Sequence, residues 1–289
     1  MTSTPKATHA KSPKKVKSVP KVPANWRETY GIIKEMRSRF EAPVDTMGCQ
    51  RAQMEESDPR NRRYSTLVSL MLSSQTTDVV QFAAMAKLRT ALGGSISIEA
   101  MIAAPAEVIS EAIASVGFWR KKTVYLQDAA KKLRDEFNSD VPNTVDGLCS
   151  LPGVGPKMAY LTLQIAWNRY DGIGVDVHVH RITNLLGWHD PPTKTPEETR
   201  RNLESWLPQE LYGDINHMMV GFGQASIVIC VSSSPRCDVC DLSTKGLCPS
   251  ARTVTSKKRK AIVFSKVKES PPKVEITLEA EERKFILNP

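Results

Sequence analysis

The chain has 289 residues and a net charge of +9, enough length to bury one large core or two modest ones. No apolar run reaches the roughly 18 residues of a membrane helix, and the start carries no apolar signal core, so the sequence predicts a soluble intracellular protein with no membrane partner. The charge is uneven: +6 lies in residues 1–25 and +5 in residues 250–289, leaving −2 for the remainder, which must meet any nucleic acid through local patches and backbone amides.

Residues 1–25 are rich in Lys, Pro, Ser and Thr and predict a disordered basic tail. Within it Pro13-Lys14-Lys15-Val16-Lys17 is similar to a nuclear localisation signal. The alternative is a solvating lysine-rich tail without an address. From Trp26 the composition turns globular, and Tyr30, Ile33, Met36 and Phe40 keep helical spacing. Ala42 to Asn61, with Pro43, Gly48 and Asp58-Pro59, reads as a loop in which Cys49 stands alone without a role.

Tyr64 to Leu72 is a dense apolar run, and Val79 to Leu92 predicts the next helix. Between them lies Ser73-Ser74-Gln75-Thr76-Thr77-Asp78, whose plain structural reading is a cap from Ser74 or Thr77. Gly93-Gly94-Ser95 ends the helix, and Ile98 to Ala114 predicts two short helices divided at Pro105. Val116-Gly117-Phe118-Trp119-Arg120-Lys121-Lys122 sets an apolar tip beside three cations. As a helix connection it would turn its aromatics inward and its cations to water. As a DNA contact it would be an apolar wedge at Phe118, flanked by phosphate contacts from Arg120 and Lys121.

Val124 to Phe137 predicts an amphipathic helix. Leu148 and Leu151 then close an apolar helical face before Pro152-Gly153-Val154-Gly155 breaks the chain into a tight turn. Pro156 suits the first position of a new helix, whose core face is Met158, Leu161, Thr162, Ile165 and Ala166. The pattern is a helix, a glycine hairpin and a second helix. Gly153 and Gly155 lack a Cβ, so backbone amides there can approach a ligand, and amides at a helix N-terminus favour an anion such as phosphate. Lys157 stands in the first turn of the new helix, where a cation opposes the helix dipole and an amine can serve as nucleophile; its plain reading is a solvated surface lysine.

Asp176 precedes Val177, Val179, Ile182, Leu185 and Leu186 and is a natural N-cap for their helix. His178 and His180 read as structural, and Arg181 as the partner of an acid or phosphate. Glu197 to Leu207 and Ile215 to Ile229 predict two more helices. Cys230, Cys237, Cys240 and Cys248 then follow with six, two and seven residues between them. Four thiolates so close can enclose a zinc ion or an iron-sulfur cluster, and the spacing leaves both open. Arg236 and Lys245 on that loop read as candidate phosphate contacts. Residues 250–289 predict a second disordered basic tail, with Ser256-Lys257-Lys258-Arg259-Lys260 as a further address candidate.

LPGVGPKMA at Leu151–Ala159, followed by VDVHVHR at Val175–Arg181, resembles the helix-hairpin-helix and Gly/Pro-Asp signature of the endonuclease III family of DNA glycosylases. The resemblance runs from about Arg27 to Pro249. It implies that Lys157 attacks the sugar and that Asp176 assists. The segment around Gln75 is similar to the family's LSxQxxD, which implies that Gln75 fills the gap left by an extruded base. Val116–Lys122 is similar to VGFWxxK, which gives Phe118 the wedge position. Two departures are Pro156, where family members carry a basic residue, and the seven-residue final cysteine spacing, where five is usual.

The resemblance implies an all-helical, two-lobed fold with a 4Fe-4S cluster on Cys230, Cys237, Cys240 and Cys248. The expected lobes are 59–169 with the hairpin, and 26–58 with 170–249 around the cluster. Lys157 and Asp176 would face the cleft from opposite sides. The implied activity is that of a monomeric glycosylase and abasic-site lyase. It would act on double-stranded DNA holding oxidised pyrimidines or abasic sites, in the nucleus, with a mitochondrial share and other repair proteins as partners left open. Two alternatives stand beside it. One is a monofunctional glycosylase of the same fold, against which Lys157 argues; the other is a non-enzymatic helix-hairpin-helix DNA-binding protein.

Overall fold

In the computed structural model, which describes residues 22–224 and 229–253, the regular structure is helical, with no strand among the described residues. Both address candidates, 13–17 and 256–260, lie outside the described residues. Helix α1 (Trp26–Arg37) forms as its apolar spacing dictates and buries Trp26, Tyr30, Ile33 and Met36.

The segment expected as a loop from Ala42 to Asn61 is instead largely helical. It holds α2 (Pro43–Met47), a 3-10 helix (Cys49–Glu55) and the start of α3 (Pro59–Ser73). The residues read as breakers are helix starts. Pro43 and Pro59 take first-turn positions, where no amide hydrogen is missed, and Asp58 Oδ1 accepts the Arg60 and Asn61 amides at 2.8 and 3.1 Å.

Helix α3 is the axis of the first core. Tyr64 to Leu72 are all buried, because α4 (Asp78–Ala91), α7 (Trp119–Glu136) and α9 (Pro156–Trp167) pack around it. The short helices α5 (Ile98–Ala103) and α6 (Ala106–Ala112) close this core, parted at Pro105 as expected. Ala52 of the 3-10 helix belongs to it as well. Beside it the buried Glu56 carboxylate is satisfied by Arg89 Nε at 3.2 Å, Ser95 Oγ at 2.6 Å and the Ile96 amide at 3.0 Å.

The second core joins α1 and Val44 to the chain after residue 170: α10 (Val177–Leu185), α11 (Pro196–Glu204) and α12 (Tyr212–Gly223). Trp26, Trp188 and Trp206 form its aromatic centre, with ring centroids 5.4 and 5.7 Å apart, and Trp188 Nε1 donates to Thr29 Oγ1 at 3.2 Å. Helix α11 ends at Glu204 and α12 at Gly223, both earlier than their apolar patterns predict; residues 225–228 lie outside the described residues. Two cores thus face each other across one opening.

Candidate active cleft and cysteine site

A cleft of about 1490 Å³ opens between the two cores. Its wall on the first side includes Gln75, Asp78 and Lys157; on the second it includes Asp176, His178 and Gln224. Helix α8 (Val145–Cys149), the turn after it and α9 form the expected hairpin. Gly153 has φ +78°, and a Cβ there would stand 2.6 Å from the Tyr125 ring, so both backbone and space demand glycine. Gly155 is different: its φ is ordinary and the space beside it is open. Neither amide donates to any group among the described residues. The turn therefore presents free N–H groups at the N-terminus of α9, an arrangement suited to a phosphate oxygen. Lys157 follows in the first turn and lines the cleft.

Asp176 caps α10. Its Oδ1 accepts both the His178 and Val179 amides, at 2.9 and 2.8 Å, while Oδ2 has no partner among the described residues. The cap therefore engages one carboxylate oxygen and leaves the other uncommitted. His178, read from sequence as structural, lines the cleft; burial lowers its affinity for a proton, and its Nδ1 is buried without a partner among the described residues. Asp78, given no role from sequence, also lines the cleft. Burial raises its carboxyl above the usual range, against the opposing hydrogen bond from Gln224 Nε2 at 2.6 Å. Gln224 in turn accepts the Val44 amide at 3.1 Å, so one amide side chain links three segments at the cleft floor. Only the short local LSxQxxD and VDVH patterns pointed toward these residues; the cleft itself is a tertiary feature.

Gln75 lies in the turn between α3 and α4 with φ +56°, and lines the cleft. Thr77 holds the N-cap position of α4 but its side chain makes no capping bond, and the Ser74 hydroxyl turns back to Met71 O at 3.4 Å, so neither caps as expected. Phe118, at φ +58° and 63% exposed, stands just before α7, which starts at Trp119 and not at Val124. The aromatic is therefore not turned inward. Arg120 and Lys121 are exposed, Arg120 stacking 4.1 Å over the Trp119 ring. Lys122 departs from the expected row of solvated cations, being buried with both Leu72 O and Ser74 O as acceptors.

The four cysteines border a separate cavity of about 50 Å³ behind α10, together with Arg181, Ile182 and Leu185. No three His, Cys, Asp or Glu side chains among the described residues close on one ion position. The seven-residue spacing from Cys240 to Cys248 is taken up by one helical turn, α13 (Asp241–Thr244), and by Gly246 at φ +67°. The chain then folds back, and the Leu247 and Cys248 amides both reach Leu242 O. Burial pushes the thiols of Cys230, Cys240 and Cys248 up, Cys240 to about 11, so thiolates here need a bound cation. Arg181 pairs with no acid among the described residues; it donates to Cys230 O at 2.7 Å and approaches Cys230 Sγ at 3.6 Å. Arg236 pairs with Asp238 at 3.0 Å, while Lys245 is exposed.

Residues 68–209 match the HhH-GPD superfamily of base excision DNA repair proteins. The chain is 48% identical over 253 residues to an endonuclease III homolog of Schizosaccharomyces pombe, covering 86% of this chain and 70% of that one. An endonuclease III-like protein of Mus musculus is 44% identical over 230 residues, covering 80% and 74%. Among solved structures, a non-covalent endonuclease III–DNA complex superposes with a TM-score of 0.64 at 26% identity, over 79% of this chain and 97% of that one. A trapped endonuclease III–DNA covalent intermediate superposes with a TM-score of 0.61 at 26% identity, over 78% and 96%.

Proposed function

The chain belongs to the endonuclease III family of HhH-GPD base excision repair proteins, and on that premise we propose that Lys157 and Asp176 carry out its chemistry on oxidised pyrimidines in double-stranded DNA. It is a DNA glycosylase and abasic-site lyase that binds DNA. The observation that carries the assignment is the cleft, which brings the lysine of one core and the carboxylate of the other to a single opening.

A base inside the duplex is out of reach, so it must first be extruded. Phosphates beside it meet the free amides of the hairpin turn around Gly153 and Gly155. Phe118 wedges the stack, Gln75 fills the gap with an amide able to donate and accept, and Arg120 and Lys121 hold flanking phosphates. Lys157 Nζ, as free amine, attacks the sugar carbon bearing the base, and the base departs with the electron pair of the broken bond. Asp176 Oδ2 takes the amine proton or stabilises the developing positive charge on the sugar. The nitrogen lone pair then forms the C=N bond as the bond from the attacked carbon to the ring oxygen breaks and the ring oxygen takes a proton. The resulting Schiff base acidifies the neighbouring carbon, and loss of a proton there expels the phosphate on the 3′ side. Water then releases Lys157.

The four thiols fit a 4Fe-4S cluster: the donors are all cysteine, they surround a cavity and not a point, and Arg181 offsets thiolate charge at Cys230. Cys230, Cys237, Cys240 and Cys248 would hold the cluster, whose thiolate bonds order a loop with few apolar residues. The basic segments 13–17 and 256–260 support a nuclear address, and the protein is proposed to act as a monomer. Because Ala52 and Glu56 pack with the first core, the proposed lobes are 26–48 plus 170–249 and 49–169, which moves the expected boundary from 58 to about 48.

Asp176→Asn separates the two duties of the carboxylate. Asparagine also caps well, so the melting temperature should hold while base release slows by about 100-fold or more. A variant that melts early but excises normally in its folded fraction would reduce Asp176 to a cap.

A further inference from the structure

Helix α3 stops at Ser73 and leaves carbonyls without helical partners next to the exposed Gln75 turn. Lys122 reaches them from the first turns of α7. Its Nζ donates to Leu72 O at 2.8 Å and to Ser74 O at 2.6 Å, with the side chain only 6% exposed. On the far side of Gln75, Thr76 Oγ1 accepts the Gly117 amide at 3.2 Å. Gly117 itself has no room for a side chain, since a Cβ there would overlap the Gln75 carbonyl oxygen. Gln75 is thus gripped before and behind by residues 117 and 122, which flank Phe118.

Both Gln75 and Phe118 hold left-handed backbone conformations that non-glycine residues rarely adopt and that persist only where the surroundings impose them. A buried amine is a costly way to fill space, and burial draws the Lys122 ammonium down to about 8. Charged or neutral, the amine still offers two N–H groups to its two carbonyls. A methionine would fill the same volume but leave both carbonyls without this donor, so what the amine adds is its hold on the turn.

We propose that Lys122 is a positioning residue that locks the Gln75 turn to the Phe118 turn, so that the two side chains enter DNA as one rigid unit. This rests on the reading of Gln75 and Phe118 as inserted residues. Two flexible turns would have to be ordered separately on DNA, whereas a locked pair meets the duplex already in register.

The test compares two substrates with the full chain carrying its cluster. One is an oxidised pyrimidine in duplex, where a stack must be opened and an orphaned base met. The other is an abasic site in single-stranded DNA of the same sequence, where neither is needed. Lys122→Met should slow single-turnover excision in duplex by about 10- to 100-fold and leave single-strand cleavage nearly unchanged. Gly117→Ala, which pushes on Gln75 from the other side, should give the same split and decides the matter if Lys122→Met does not fold. Gln75→Ala and Phe118→Ala serve as controls and should split likewise. If the controls split but Lys122→Met and Gly117→Ala lose both reactions equally, or neither, the lock is wrong. If the controls themselves do not split, the insertion reading falls and takes the lock with it.

Discussion

The helices that bring Lys157 and Asp176 to the cleft are held by different means. Helix α9 carries Lys157 and buries Ala159 and Leu163 in the first core, against α3 and its aliphatic neighbours. Helix α10 begins at the Asp176 cap and buries Val179 and Ile182 in the second core, but Arg181 rests on Cys230. Of the segment 229–253 that supplies that support, only Ile229, Cys240 and Leu242 are buried. Lys157 therefore stands on a helix held by apolar packing and by the Gln164 and Trp167 hydrogen bonds to Gly213 O and Pro142 O, all independent of the cysteines, while the Asp176 carboxylate depends in part on whatever orders the cysteines. A helix fastened through a ligand site inherits the integrity of that site.

Loss of a cysteine should break this asymmetry most strongly. Cys240→Ser is expected to abolish the visible absorbance of the proposed cluster and lower base excision by at least about 100-fold. Hydrogen exchange should then show protection lost in 229–253 and α10 but retained in α3 and α9. Protection of α10 at its original level would separate the carboxylate from the cysteine site. The opposite lesion is Leu163→Ala, a fully buried side chain of the first core, which should cost about 2–5 kcal/mol in denaturant unfolding without loss of the proposed cluster's absorbance from the folded protein.

Smaller changes sharpen the contrast. Gly153→Ala puts a side chain into a left-handed turn and against Tyr125, and should cost about 1–2 kcal/mol, with weaker DNA binding and an undisturbed cysteine site. Equal binding by this variant would remove the hairpin from phosphate contact. The smallest effect is acid sensitivity of the second core. Burial alone would raise the Asp45 carboxyl, but His217 at 2.7 Å, the Ala42 amide and Arg37 outweigh it and hold the pKa at about 2. A depressed carboxylate stabilises the fold above its unfolded value, and that contribution is lost as pH falls from about 4 towards 2. Asp45→Asn should be less stable at neutral pH and flatter through that window in urea unfolding measured against pH.

What the sequence made legible was local. The hairpin follows from Pro152, Gly153 and Pro156, and the cap at Asp176 from one acid ahead of an apolar repeat; such signals act within a few residues. The helices between residues 43 and 61 were missed because a proline that ends one helix is equally able to start another, and only its partners decide which. Lys122 was read as solvated because an isolated charge in sequence carries no sign of the orphaned carbonyls it meets across the fold. The acceptors that Arg181 finds within the chain, Cys230 O and Sγ, lie 49 residues away, beyond the reach of any local pattern. Asp78 and His178 were visible as letters, but the cleft that gives them meaning forms only when the two cores meet.

The proposed chemistry turns on Lys157 as the nucleophile. Borohydride reduction during turnover of a duplex holding one oxidised pyrimidine tests it most directly, since a Schiff base is fixed as a covalent protein–DNA adduct. The wild-type chain should give that adduct, and Lys157→Gln, similar in length but with no nucleophilic amine, should bind the duplex and give none. An adduct at wild-type yield from Lys157→Gln would remove Lys157 from the chemistry.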